Sequence, residues 1–163
     1  MSQAIVTSIA AAIGTDHVRT DVGGRVIATP PSIEALAHLL GIAYDGSWSV
    51  AIAGNGSWQV NDAPAMITIS LRALDQVVEF DPTPTGYIAA QGGTSLETIR
   101  QHVANRPRFP HGLTIEPPGR SDRTVGSVVA TGTLGALRAG FGQLVDELRG
   151  LVVVTGDGRI VRV

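Results

Sequence analysis

Glycine and proline punctuate this sequence from end to end, and that punctuation dictates many turns and therefore many strands. The 20 Gly and 9 Pro are spread along 163 residues rather than gathered in one linker. A chain of this length suits one domain and can bury roughly two-thirds of its unfolded surface. Hydrophobic residues make up 44% and charged residues 16%, a balance that favours a packed core over disorder.

Between the turns the elements follow from periodicity. Residues 3–13 carry apolar positions at helical spacing and stop at Gly14, which predicts a helix. Arg25–Thr29 reads as a short strand before Pro30 and Pro31. Ser32 then caps an amphipathic helix built on Ile33, Leu36, Ala37, Leu39 and Leu40. Ser49–Ala53 is a second strand that runs straight into Gly54-Asn55-Gly56-Ser57. Met66–Leu71 alternates weakly as a strand, and Val77–Asp81 with Tyr87–Gln91 form a hairpin around Pro82–Gly86. Thr94 or Ser95 caps a helix reaching about Ala104. Residues 105–123 are Pro- and Arg-rich loop, and Thr124–Thr131 is a helical pattern of small residues. Leu148–Thr155 is expected as a buried strand, Gly156-Asp157-Gly158 as a tight turn, and Arg159–Val163 as the returning strand. The fold class is α+β, with one lobe to about residue 93 and a second over about 94–163, rather than a run of βαβ units.

Composition removes several chemistries. All 12 basic residues are Arg, so a Walker-type phosphate loop and Schiff-base catalysis, which need Lys, are excluded. With no Cys there is no disulfide, thiolate nucleophile, iron–sulfur cluster or Cys-bound zinc. A net charge of −2 gives no field that would hold a nucleic acid. The opening MSQAIVTSIAAAIG lacks a basic start and a strong apolar run, and nothing approaches a membrane span, so a soluble, cytoplasmic protein is expected.

Three segments carry chemistry. In Ala53-Gly54-Asn55-Gly56-Ser57, two glycines spaced by one residue permit positive φ and let successive amides converge on an anion, with no Lys required. Alone, such a pair after a strand is equally a plain turn. Thr124-Val125-Gly126-Ser127-Val128-Val129-Ala130-Thr131-Gly132 has small side chains throughout, which suits either a flat aromatic ring lying against it or a tightly packed core helix. The third is Phe141-Gly142 with Asp146, followed by Gly150–Val154 and Asp157-Gly158, which by itself is strand, turn and strand.

Taken together and in this order, these segments resemble the FAD-binding domain of the vanillyl-alcohol oxidase and p-cresol methylhydroxylase (PCMH-type) superfamily. The resemblance starts at Val26-Ile27-Ala28-Thr29-Pro30-Pro31-Ser32-Ile33-Glu34 and continues through Gly54–Ser57, Ser70-Leu71-Arg72-Ala73-Leu74, and Ala90-Gln91-Gly92-Gly93-Thr94. It ends with Thr124–Gly132, Phe141-Gly142 and Asp146–Gly158. Within the superfamily, Pro117-Pro118 and Leu134-Gly135-Ala136-Leu137-Arg138 most resemble the FAD-binding subunit of bacterial glycolate oxidase.

The resemblance implies FAD held between two α+β lobes. It implies cofactor contacts from Ala53, Gly54, Asn55, Gly56, Ser57, Gly92, Pro118, Thr124, Val125, Gly126, Ser127, Ala130, Thr131, Gly132 and Gly142. Relatives with a flavin bonded to His in the first loop carry that His there; Asn55 makes noncovalent FAD the expectation. The superfamily's paired glycine is Gly126-Ser127 here, which places a hydroxymethyl group where backbone usually comes closest. Relatives continue into a substrate domain that this chain is expected to lack, so a missing domain or second subunit is the expected partner. Oxidation of a 2-hydroxy acid such as glycolate is implied, and no catalytic base is assigned. A non-catalytic FAD or nucleotide carrier, and a UDP-N-acetylenolpyruvoylglucosamine reductase-like domain, are the alternatives.

The remaining polar residues read as scaffold. His17, His38, His102 and His111 have no metal spacing and are expected on the surface or in loops. Arg106, Arg108, Arg120 and Arg123 form a basic cluster, read either as a solvated loop or as a grip on phosphate or carboxylate. Trp48 and Trp58 flank the first glycine loop and are expected to pack beside it.

Overall fold

The computed structural model describes residues 2–56, 65–83, 86–105, 113–120, 122–133 and 135–163. The contacts divide the chain into two compact units, Met1–Leu74 with Gly150–Val163, and Asp75–Arg149. Compared with a division near residue 93, this one gives the central hairpin to the second unit and the C-terminal hairpin to the first.

The first unit is built on a four-stranded sheet. Its strands are β1 (Val18–Thr20), β2 (Val26–Ala28), β3 (Val50–Ala53) and β4 (Ile67–Ser70), in the order β1-β2-β4-β3. β4 runs parallel to both β2 and β3, with Ile67 opposite Val26 on one side and Val50 on the other. Ile67, Thr68 and Ile69 are all buried, as a central parallel strand covered on both faces requires. The chain passes from β2 to β3 through α2 (Ile33–Asp45), a βαβ crossover with β4 inserted between its strands.

Helix α1 (Ser2–Ile13) buries Ile5, Ile9 and Ile13, which at four-residue spacing form one stripe. Helix α2 starts where the Ser32 side chain accepts from the Ala35 amide at 3.1 Å, as expected for the cap, and buries Leu36, Ala37, Leu39 and Ala43. These stripes meet Val26, Ala28, Ile67, Ile69 and Leu74 in one core. The C-terminal hairpin, β7 (Val152–Val154) and β8 (Ile160–Arg162), is antiparallel and contacts α2. Its first strand is not the buried one expected from the apolar run: Val152 and Val153 are 48% and 41% exposed. Val152 and Val153 point to opposite faces and both stay open, as do Ile160 and Val161 on the partner strand, while Val154 packs against the core, so an unbroken apolar run did not imply burial.

The second unit contains the expected hairpin, β5 (Val77–Phe80) with β6 (Ile88–Ala90), with a register irregularity between Val77 and Glu79. Helix α3 (Leu96–Ala104) is capped by Ser95, whose hydroxyl accepts from the Thr98 amide at 3.0 Å. Helix α4 (Val125–Thr131) is capped by Thr124, which accepts from the Ser127 amide at 3.3 Å. Two one-turn helices follow, α5 (Arg138–Phe141) and α6 (Leu144–Glu147). Leu96, Val128 and Leu144 form one buried cluster, with Leu113, Ile115, Val125 and Val129 packed against it, and α3 also buries Ile99 and Val103.

Candidate functional site

In the first unit, β2, β4 and β3 run in one direction, so the residues that follow them lie along one sheet edge. The carboxyl ends of parallel strands are where α/β sheets bind ligands, because the chain there turns away and leaves backbone groups exposed. After β3 comes Gly54-Asn55-Gly56, and after β4 come Leu71 and Arg72. The Leu71 amide donates to the Ala53 carbonyl at 2.9 Å, which extends the parallel ladder one residue past β4. One residue on, the Arg72 guanidinium donates to the Asn55 carbonyl at 3.4 Å.

Of the two glycines only Gly56 uses positive φ, at +73°. Among the described residues, a Cβ there would meet nothing within 4 Å. Among the described residues the amides of Gly54 and Gly56 have no hydrogen-bond partner. The arrangement of unsatisfied amides and a nearby guanidinium fits a diphosphate. Ser57, the last member of the expected loop, lies outside the described residues, as does Trp58. Trp48 packs against the first unit's core.

The second unit places its expected contact residues differently. Ser95 and Thr124 form an antiparallel bridge that joins the starts of α3 and α4. Through it the Leu96 amide donates to the Arg123 carbonyl and the Val125 amide to the Thr94 carbonyl, each at 2.9 Å. The Gly126 amide donates to the Gly92 carbonyl at 2.9 Å, and the Ser127 amide goes to the Thr124 side chain. The first turn of α4 therefore offers no spare amide to an anion, although helix N-termini commonly do. Gly126 has a local reason as well. A Cβ there would lie 2.6 Å from the Gly92 carbonyl oxygen, so the missing side chain admits Gly92 itself. The Ser127 hydroxyl donates to the Thr124 carbonyl at 2.8 Å.

What α4 does present is its last turn. Ala130, Thr131 and Gly132 are exposed, and Gly132 ends the helix in the left-handed conformation. Pro118 and Gly142 are exposed in the same unit, the latter capping α5.

Arg123 corrects the reading of a solvated basic loop. It is 2% exposed, and its guanidinium donates to the Pro118 carbonyl at 3.5 Å and to the Thr131 and Thr133 hydroxyls at 3.4 and 3.5 Å. It thus ties together segments on both sides of α4. Arg120 is exposed and forms a two-pronged ion pair with Asp122, with the closer contact at 2.7 Å. Arg106, Arg108 and His111 lie outside the described residues. His102 is not a loop residue: it sits half-buried on α3, edge-on to Phe80 with ring centroids 5.5 Å apart. His38 is exposed on α2. Arg72 was visible in the sequence only as part of a motif. Its signal was a cation in the second position after a strand, in a chain that has no Lys.

The family described as FAD binding domain matches residues 24–163. A D-lactate dehydrogenase of Archaeoglobus fulgidus is 26% identical over 140 residues, covering 85% of this chain and 30% of that protein. A D-2-hydroxyglutarate–pyruvate transhydrogenase of Saccharomyces cerevisiae is 25% identical over 140 residues, covering 84% of this chain and 27% of that protein. The crystal structure of p-cresol methylhydroxylase with substrate bound has the same fold, with a TM-score of 0.81 at 14% identity over 98% of this chain and 35% of that one. The chain therefore spans about a third, or less, of the length of these relatives. With the match running from residue 24 to residue 163 and the mixed helix-and-sheet architecture agreeing with the PCMH type, the chain belongs to the FAD binding domain family.

Proposed function

We propose that this chain holds FAD noncovalently as the cofactor-binding part of an oxidoreductase that oxidises a 2-hydroxy acid, with glycolate and D-lactate the first substrates to try. The observation that carries the reading is the Gly54–Gly56 turn at the carboxyl edge of three parallel strands, whose two glycine amides have no partner among the described residues. When bound, FAD supplies the hydride acceptor. The amides of Gly54 and Gly56 bind the diphosphate, and Asn55 in place of His supports a noncovalent link. Ala130, Thr131 and Gly132, exposed at the end of α4, offer low side chains against which a flat ring can lie. The D-lactate dehydrogenase and 2-hydroxyglutarate transhydrogenase relatives support the 2-hydroxy acid. Substrate contacts and the base come from a further domain or a second subunit, in the cytoplasm.

The test is spectroscopic. The purified protein should carry flavin absorbance that acid precipitation releases into the supernatant, and glycolate or D-lactate should bleach it. Absence of flavin uptake sinks the reading. Flavin that no 2-hydroxy acid bleaches keeps the cofactor and removes the substrate. A second reading, a carrier of FAD or another dinucleotide without chemistry, is favoured by the internally satisfied first turn of α4. It predicts uptake without bleaching by any of these acids.

A further inference from the structure

We propose that Arg72 is a diphosphate-binding residue, the cation that complements the glycine turn in a chain without Lys; this rests on the FAD reading above. The topology brings Arg72 to the site. β4 lies beside β3 in parallel register, with Ser70 opposite Ala53, so the second residue past β4 stands against the second residue past β3. The guanidinium reaches the Asn55 carbonyl at 3.4 Å, between the two glycines whose amides are unsatisfied. That single bond uses one of the five guanidinium N–H groups. No carboxylate among the described residues pairs with Arg72, whereas Arg120 and Arg159 each have one. Arg72 is also exposed, so its charge is not committed to the core.

Two amides alone neutralise little of a diphosphate's charge. In a Walker-type loop a Lys supplies the rest. Here a planar guanidinium anchored to the loop can donate in two directions, back to the Asn55 carbonyl and outward to a phosphate oxygen. The anchor fixes the fork before the ligand arrives, which lowers the ordering cost of binding.

The experiment compares the protein with its Arg72→Met and Arg72→Lys variants, titrated with FAD, ADP and riboflavin at two salt concentrations. Circular dichroism confirms that each is folded. If Arg72 grips the diphosphate, Arg72→Met weakens FAD and ADP together by at least about tenfold, the size of a charge-assisted bond. Riboflavin, which has no phosphate, binds as before. The salt dependence of FAD affinity falls in Arg72→Met and is restored in Arg72→Lys, which keeps the charge. Wild-type and Arg72→Met affinities for FAD within about twofold overturn the inference alone. A loss in Arg72→Met that falls equally on riboflavin, with salt dependence unchanged, also overturns it, since Arg72 would then only brace the turn. A wild-type protein that takes up no FAD fails the underlying reading, and this assignment falls with it.

Discussion

Gly56 and Gly126 lack a side chain for opposite reasons. At Gly56 the backbone has φ +73° and no described atom lies within 4 Å of where a Cβ would stand, so the constraint is conformational. A side chain at that φ costs about 1–2 kcal/mol, more for a β-branched residue. Gly56→Val should therefore flatten the turn and abolish FAD retention while the far-ultraviolet circular dichroism stays native, because the turn lies outside the core. Gly54→Val should act similarly by adding bulk at the proposed diphosphate site. Unchanged FAD affinity in both variants would remove the pyrophosphate assignment. At Gly126 the constraint is packing: its Cβ would collide with Gly92 at 2.6 Å. Gly126→Ala gains about 1 kcal/mol of helix propensity but overpacks the contact by about 1–3 kcal/mol. A net loss of up to about 2 kcal/mol in denaturant melts is expected, and a more stable variant would show that Gly92 yields freely. The sequence marks both positions as glycine and cannot distinguish them, since the partner that decides the second is 34 residues away.

At the level of elements, legibility followed the strength of the local signal. The caps at Ser32 and Ser95 were readable because a hydroxyl three residues before a waiting amide is a local arrangement, and each makes that bond; Thr124 makes it too but was read as the first helical residue. β1 was missed because Val18-Arg19-Thr20 is too short to show alternation; its existence depends on antiparallel pairing with β2. The short helices α5 and α6 fail for the same reason, being one turn each. Thr124 is 1% exposed, and its replacement leaves the part-buried Ser127 amide without its cap. Thr124→Ala should cost about 1–2 kcal/mol and loosen the bridge to α3, read as faster exchange of the Leu96 and Val125 amides. An unchanged melt would show that the backbone bridge alone holds both helix starts.

The turn between β7 and β8 gives an element its pH dependence. The Asp157 carboxylate accepts from the Thr155 hydroxyl and from Arg159 Nε, the latter at 2.8 Å. The Thr155 bond above all, and then Arg159, hold it below the ordinary aspartate value of 3.8. A folded value below the unfolded one means that the stabilisation is present above the unfolded pKa and is lost as pH falls through the folded value. The melting temperature should therefore fall more between neutral pH and about pH 3 in the wild type than in Asp157→Asn, which cannot ionise. Parallel acid limbs in the two melts would show that this carboxylate gains nothing on folding.

For the whole molecule, two compact units imply two stabilities. Among the described residues the first unit's core holds eleven buried hydrophobic side chains, ten of them from α1, α2 and the sheet, and the second unit has five, Leu96, Ile99, Val103, Val128 and Leu144. Burial of apolar surface is the main favourable term, at about 25 cal/mol per Å², so the unit with fewer buried side chains opens at lower free energy. Amides of α3 and α4 should exchange with solvent faster than those of β2 and β4, and Ile67→Ala should cost about 2–5 kcal/mol and expose the sheet. The chain is also arranged so that the first unit is closed by its own C-terminal hairpin, with the Gly158 turn lying on Ala37 and Gly41 of α2. Cofactor binding acts on both units if both supply contacts. FAD at a hundredfold excess over its dissociation constant adds about 2.7 kcal/mol to whatever it binds. Protection rising at Gly54–Gly56 and at Ala130–Gly132 together on adding FAD would mark both segments as contacts. Protection confined to the glycine turn would leave the first unit as a dinucleotide grip and take the ring-binding role away from α4.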